Sequence, residues 1–135
     1  VYLYSYARNI EEAKDEAAHV LRLIEPYKDK LRFPVYYDLE EAGTGLGAIS
    51  RAVAFGDIIE SAGLWCGIYA NQYWWLNHLK GLDRFTKWVA RYSNIQPTVK
   101  GTDIWQFTSK GKVTGINGYV DCNQLLCKKF PLKKK

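Results

Sequence analysis

Strand-like and helix-like segments alternate along the first part of this chain, and this alternation limits its possible folds more than any other feature. Three β-branched and aromatic runs are predicted as strands, at residues 1–7, 33–40 and 64–70. Each is followed by a segment with apolar residues at helical spacing. This order predicts an α/β fold with a parallel sheet and right-handed crossovers, whose ligand site lies at the carboxyl ends of the strands.

The helices between these strands have recognisable ends. Asn9, with Glu12 three residues later, is an Asn variant of the capping box and predicts a helix start, and Pro26 marks that helix's end. Asn71 is expected to cap a short third helix through residue 79. Five residues of the second helix are expected to face the core: Ile49, Ala52, Val53, Phe55 and Ile59.

The rest of the chain is poor in helix. Residues 87–92 and 103–108 are predicted strands, and a last strand region covers residues 113–116 and 119–122. We assign residues 1–127 to one domain and residues 128–135 to a basic tail.

The net charge of +5 comes from that tail, which holds five of the 19 basic residues. The 14 that remain equal the 14 acidic residues in number. A nucleic-acid-binding protein normally carries a basic face on the domain itself, so we predict no nucleic-acid partner. The tail is interpreted either as a solvated end or as an element attracted to an anionic surface such as a bacterial cell wall.

The sequence predicts no metal ion and no membrane span. Its three cysteines have neither the count nor the spacing of a disulfide framework or a zinc site. Cys66 is interpreted as a small buried hydrophobe, and a bridge between Cys122 and Cys127 stays open. The histidines, His19 and His78, have no partner motif. No stretch of about 18 apolar residues is present, and no signal peptide opens the chain.

An acidic pair, Asp38 and Glu40, ends the second predicted strand in the run YYDLE. Residues two apart in a strand point to the same side, so Tyr36, Asp38 and Glu40 are predicted to share one face. Two carboxyls this close in a partly dry site cannot both ionise freely, and one pKa should rise. Paired carboxyls of this kind are what glycosidic bond cleavage requires, although a bare D-x-E is also common in solvated loops.

Further candidates lie in the helix-poor part of the chain. Asp121 is either a further acid of the site, at the end of the last strand, or a turn residue that bonds its own backbone. Trp105 and Gln106 combine a stacking surface with an amide suited to sugar hydroxyls, although each Trp is also a candidate for the core.

The runs PVYYDLE, AGLWCGIYAN, KWVARY and DIWQFTSKGKVTGINGYVDCN, in this order and spacing, resemble the glycoside hydrolase family 25 lysozymes. The resemblance covers residues 1 to about 123. It implies an irregular TIM-like β/α barrel and cleavage, without metal or cofactor, of the β-1,4 bond between N-acetylmuramic acid and N-acetylglucosamine in peptidoglycan. It also implies an enzyme that works outside the cell or at the cell wall, as a secreted bacterial enzyme or a phage endolysin.

The same resemblance implies roles for individual residues. Glu40 is the general acid/base, and Asp38 orients and stabilises the substrate's own N-acetyl group, which acts as nucleophile in one proposed route. The implied substrate-binding residues are Asp121 at the groove rim, and Tyr2, Tyr69, Tyr92, Trp105 and Gln106 in segments that line the groove.

One departure from the family pattern concerns the start of the chain. The family's domain opens with a strand that carries another active-site Asp in a G-x-D-x-S type motif, and nothing here matches it. The pattern has six strands where the barrel has eight, so we expect an N-terminally truncated chain that begins at the third strand. We expect truncation to impair activity and to favour self-association through the open barrel edges. The alternative function is a non-catalytic module that binds cell-wall glycan.

Overall fold

The structure is a computed structural model that describes residues 1–127, and the predicted basic tail at 128–135 lies outside the described residues. Its strands are β1 (Tyr2–Tyr4), β2 (Val35–Asp38), β3 (Cys66–Asn71), β4 (Thr86–Ala90), β5 (Thr102–Gly111) and β6 (Val120–Leu125). Its helices are α1 (Ile10–Ile24), α2 (Ala48–Ser61) and α3 (Gln72–Asn77), and a 3-10 helix, Glu25–Lys30, follows α1.

The six strands form one sheet in sequence order, from β1 to β6. The first five are parallel to one another and β6 is antiparallel to β5. This confirms the predicted α/β fold with a parallel sheet. The expected strand at residues 113–116 is wrong, because a turn closes there with Ile116 N–H donating to the Val113 carbonyl over 3.0 Å. The chain leaves β5 through this turn and returns as β6.

The start of α1 follows the predicted capping pattern. The Asn9 side chain accepts a hydrogen bond from the Glu12 N–H over 2.9 Å, and the Glu12 carboxylate accepts one from the Arg8 N–H over 2.6 Å. The first bond satisfies a backbone donor that a helix start leaves free, and the second joins the residue before the cap to the first turn. The helix therefore begins at a defined residue and presents its apolar side to the sheet.

Alternation along β2 separates the core from the site. Val35, Tyr37 and Leu39 are buried in the hydrophobic core under α1 and α2. Tyr37 stacks on Phe55 of α2, with ring centroids 4.0 Å apart and ring planes 7° from parallel. The intervening Asp38 therefore points to the other side of the sheet.

The expected core face of α2 is correct in part. Ala52, Phe55 and Ile59 are fully buried, but Ile49 is 41% exposed and Arg51 takes an inward position instead. Cys66 is fully buried, as expected of a small hydrophobe. Cys122 and Cys127 form no disulfide bridge with each other.

Candidate active site

A cleft of about 280 Å³ opens near the carboxyl ends of the parallel strands. It is lined by Tyr2, Tyr4, Asp38, Glu40, Tyr69, Trp88, Tyr92, Gln106 and Asp121. Six strand regions contribute to this set, so the curvature of the sheet brings together residues that are distant in sequence. The cleft contains both acids of the predicted catalytic pair and five of the six predicted substrate-binding residues.

Asp38 is the last residue of β2 and is only 5% exposed. Within the described part of the chain its Oδ1 atom is buried and has no hydrogen-bond partner. Burial first, and the nearby charge of Glu40 second, raise the pKa of Asp38 to about 8. This carboxyl therefore holds a proton to a higher pH than an ordinary Asp does.

Glu40 follows β2 and is exposed to the cleft. Partial burial, followed by the negative charge of Asp121, raises its pKa above the usual value. The polypeptide between Asp38 and Glu40 is held in place because Leu39 N–H donates to the Tyr69 carbonyl over 2.9 Å, which continues the β2–β3 ladder. The two carboxyls thus differ in exposure, since Asp38 is buried within the sheet and Glu40 is exposed at the mouth of the cleft.

Gln106 of β5 forms the floor of the cleft with two tyrosines. Its Oε1 atom accepts hydrogen bonds from the Tyr69 hydroxyl over 2.8 Å and from the Tyr92 hydroxyl over 3.0 Å. Gln106 and Tyr69 are buried, whereas Tyr92 is 59% exposed. One amide therefore fixes a buried phenol and an exposed ring on the cleft wall.

Two aromatic residues of the cleft were missed by the sequence-based prediction of the site. Tyr4 lies opposite Asp38 in the β1–β2 register and donates its hydroxyl proton to Glu41 Oε2 over 2.9 Å. Trp88 of β4 donates from Nε1 to Asn123 Oδ1 over 2.8 Å and meets the Tyr69 ring edge-on. Tyr4 follows Tyr2 at a spacing of two, and this alternation was a usable signal.

Trp105 does not line the cleft, contrary to the prediction. It is buried, 6% exposed, and its Nε1 donates to the Arg91 carbonyl over 2.8 Å. It precedes Gln106 in β5, and successive strand residues face opposite sides of a sheet. Gln106 faces the cleft, so Trp105 packs on the outer side.

A second pocket of about 300 Å³ adjoins the cleft at Glu40. Its walls are Glu40, Tyr69, Asn71, Ala90 and Tyr92, three of which also line the cleft. Glu40 therefore borders both spaces.

Residues 1–127 contain neither a group of metal-ligating side chains nor a membrane-spanning helix. The His, Cys, Asp and Glu side chains in that range form no group of three suited to a metal ion. In the same range, no helix is both long enough and apolar enough to cross a bilayer.

Comparison with known proteins identifies one family. The family model for glycosyl hydrolases family 25 matches residues 1–116. The modular autolysin LytC from Streptococcus pneumoniae is 28% identical, with a TM-score of 0.78 over 91% of this chain. The same autolysin in complex with a synthetic peptidoglycan ligand is 27% identical, with a TM-score of 0.77 over 90% of this chain. The CTP1L endolysin is 28% identical, with a TM-score of 0.75 over 92% of this chain. No curated protein matches the chain.

The matched chains are much longer than this one. This chain covers 32% of either LytC chain and 46% of the endolysin chain. Its curled six-stranded sheet corresponds to part of the irregular β/α barrel of these proteins, which confirms the predicted fold class.

Proposed function

Because this chain belongs to glycosyl hydrolases family 25, we propose that it hydrolyses the β-1,4 bond between N-acetylmuramic acid and N-acetylglucosamine in peptidoglycan. The proposal is carried by the cleft, in which two carboxyls with raised pKa values stand beside each other between aromatic walls. Glycosidic bond cleavage needs a protonated carboxyl near neutral pH and a second carboxyl at the reacting centre.

We assign the acid/base role to Glu40 and the supporting role to Asp38. Glu40 is exposed at the mouth of the cleft, where a polymer reaches it, whereas Asp38 is buried below. The raised pKa values mean that the pair retains a proton through neutral pH. When that proton is on Glu40, the ionised Asp38 can stabilise positive charge on the sugar ring and its N-acetyl group.

The proposed reaction has two steps. In the first, the N-acetyl oxygen of the substrate attacks the anomeric carbon while Glu40 gives its proton to the departing glycosidic oxygen. In the second, Glu40 takes a proton from water, and the water oxygen attacks the anomeric carbon and reopens the ring formed by the N-acetyl group. Asp38 orients the N-acetyl group in both steps.

Substrate binding is assigned to the remaining residues of the cleft. The rings of Tyr2, Tyr4 and Tyr92 offer flat surfaces for sugars, and Gln106 and Asp121 offer groups that bond to hydroxyls. The cleft and the adjoining pocket share Glu40, and together they suit a glycan strand that continues on both sides of the cleaved bond. LytC, which has a similar fold, has been seen with a synthetic peptidoglycan ligand. We place the activity outside the cell, at the bacterial wall.

The test is release of reducing ends from purified peptidoglycan by the wild-type chain and by Glu40→Gln. We expect Glu40→Gln to lower the rate roughly 10²- to 10⁴-fold, because general acid catalysis is lost while the shape of the side chain is kept. Asp15→Asn, which removes an exposed acid from α1, serves as the control of equal charge change and should keep the wild-type rate.

A pull-down with insoluble peptidoglycan separates the enzyme from the alternative. Both the wild type and Glu40→Gln should sediment with the wall. Sedimentation of the wild type with no reducing ends released would replace the proposed function with a non-catalytic glycan-binding module.

A further inference from the structure

The segment that follows Glu40 buries almost none of its own side chains. We call residues 41–47 the β2–α2 loop. Thr44 is its one buried residue, whereas Leu46 is 93% exposed. A loop with so few buried contacts is expected to move unless other groups hold its backbone. The position of the Glu40 carboxyl therefore depends on how this loop is held.

Arg51 of α2 holds the loop from the protein interior. Its guanidinium donates to the carbonyl oxygens of Thr44 and Leu46, the second from Nη1 over 2.8 Å. Arg51 is 2% exposed and, among residues 1–127, takes part in no ion pair. Removing a guanidinium from water without a carboxylate partner is costly. The compensation that the structure provides is the pair of loop carbonyls.

Gly47 forms the backbone turn between the loop and α2. It has a φ of 72°, in the left-handed region that favours glycine. A Cβ atom there would lie 3.4 Å from Arg51 Nη1, which is an ordinary contact, so the backbone conformation rather than the space favours glycine. The turn into α2 thus brings the backbone of the loop next to the Arg51 guanidinium.

A short series of contacts connects Arg51 to Glu40. Thr44, held by Arg51, donates to the Glu41 carbonyl from its N–H over 3.2 Å and from its hydroxyl over 2.8 Å. The Glu41 carboxylate in turn accepts the Tyr4 hydroxyl proton over 2.9 Å. The residue next to Glu40 is thereby fixed on both its backbone and its side chain.

We propose that Arg51 is a positioning residue for Glu40, which it holds at the cleft through the two loop carbonyls and Glu41. The inference rests on the proposed function for its effect on turnover, but the placement of Glu40 can be measured without any substrate. A lysine at position 51 keeps the positive charge but lacks the planar pair of donors that binds two carbonyls. The loop therefore requires the planar pair of donors of the guanidinium, rather than its positive charge.

The test compares the wild type with Arg51→Lys and with Ile59→Ala, a core truncation further along α2. Assays are run at a temperature at which circular dichroism shows all three to be folded. We expect Arg51→Lys to lower kcat by roughly 10- to 100-fold with KM changed less than about threefold, because a misplaced acid affects the chemical step. Ile59→Ala should keep kcat within about threefold of the wild type.

A second readout is the titration of the Glu40 carboxyl, followed by NMR with ¹³C-labelled glutamate. In Arg51→Lys the released Glu40 should become more solvated, so its pKa should fall toward the usual value for Glu. Ile59→Ala should leave the titration as in the wild type. A shifted titration in Arg51→Lys supports the inference even if no variant hydrolyses peptidoglycan, in which case the proposed function alone fails.

Equal kcat values and equal Glu40 titrations in Arg51→Lys and Ile59→Ala would overturn the inference. If Arg51→Lys does not fold, amide hydrogen exchange of the wild type decides. The Thr44 amide should be protected as strongly as the amides of α2. Exchange of that amide at the rate of an unstructured loop would equally overturn the inference.

Discussion

Glu40, after β2, and Asp121, in β6, line the same cleft, where burial first and the charge of Asp121 second raise the pKa of Glu40. The shared position of the two residues in the cleft depends on the reversal of β6. Because β6 runs antiparallel to β5, its beginning returns to the edge at which the parallel strands end. Asp121 therefore acts on the chemistry of Glu40 from the opposite end of the sequence.

Replacement of Asp121 by Asn should shift the pH dependence of activity. Loss of the negative charge lowers the pKa of Glu40, so the proposed acid loses its proton at a lower pH. We expect the alkaline limb of the kcat profile to move to lower pH. Asp15→Asn should leave the limb in place, and an unchanged limb in Asp121→Asn would separate Asp121 from Glu40.

Replacement of Asp38 by Asn should stabilise the protein at alkaline pH. The folded-state pKa of about 8 lies above the ordinary value of 3.8, so folding favours the protonated carboxyl. That contribution is complete below about pH 4 and is lost as the pH rises through about 8. The substituted amide cannot ionise, so we expect a gain on the order of 1–3 kcal/mol at pH 9 in urea unfolding. A wild type and variant with parallel stability profiles from about pH 4 to 9 would contradict this.

Local pattern was sufficient to predict that Asp38 and Glu40 lie at one site, and insufficient for part of their surroundings. Asp38 and the buried Tyr37 obey simple alternation, which separates core from cleft in any regular strand. Trp105 and Gln106 were both assigned to the groove, although adjacent strand residues cannot both face it. The residue types in that run indicated a sugar-binding segment. Which of the two side chains faces the cleft, however, depends on how β5 aligns with β4, and that register shifts near Trp88.

The α2 helix shows a similar limit. The spacing of apolar residues predicted that Ile49 faces the core, yet Ile49 is 41% exposed. The charged Arg51, by contrast, is only 2% exposed. Hydrophobicity ranks Arg51 as a surface residue. Its burial is compensated by the two carbonyls of the preceding loop that accept its hydrogen bonds, and these come together only once the loop is folded. The burial of Arg51 therefore could not be predicted from the periodicity of the sequence.

Gln106 should prove to be coupled energetically to Tyr69. Replacement by Leu removes the acceptor of a buried hydroxyl, which should cost about 1–3 kcal/mol in the free energy of unfolding. Tyr69→Phe combined with Gln106→Leu should cost less than the sum of the two single changes, because no donor is then left unpaired. The same cycle with Tyr92→Phe is the control, since the exposed Tyr92 hydroxyl finds water instead. Additive effects in the Tyr69 cycle would show that this bond has no stabilising role.

Gly56 tests whether packing overrides helix propensity in α2. Alanine is normally the better helix residue by about 0.5–1 kcal/mol. A Cβ atom at position 56, however, would lie closer to the Phe85 ring than real side-chain contacts allow, and both residues are buried. Overpacking of this kind costs about 1–3 kcal/mol, so we expect Gly56→Ala to be destabilising in thermal and urea unfolding.

The companion variant Phe85→Leu gives this prediction its control. A leucine at position 85 lacks the ring atoms that the added methyl group would meet, so Gly56→Ala should be tolerated far better in the Phe85→Leu background than in the wild type. The size of that difference measures the clash itself, since helix propensity is the same in both backgrounds. An increase in melting temperature for Gly56→Ala alone would mean that α2 and the segment carrying Phe85 separate at little cost.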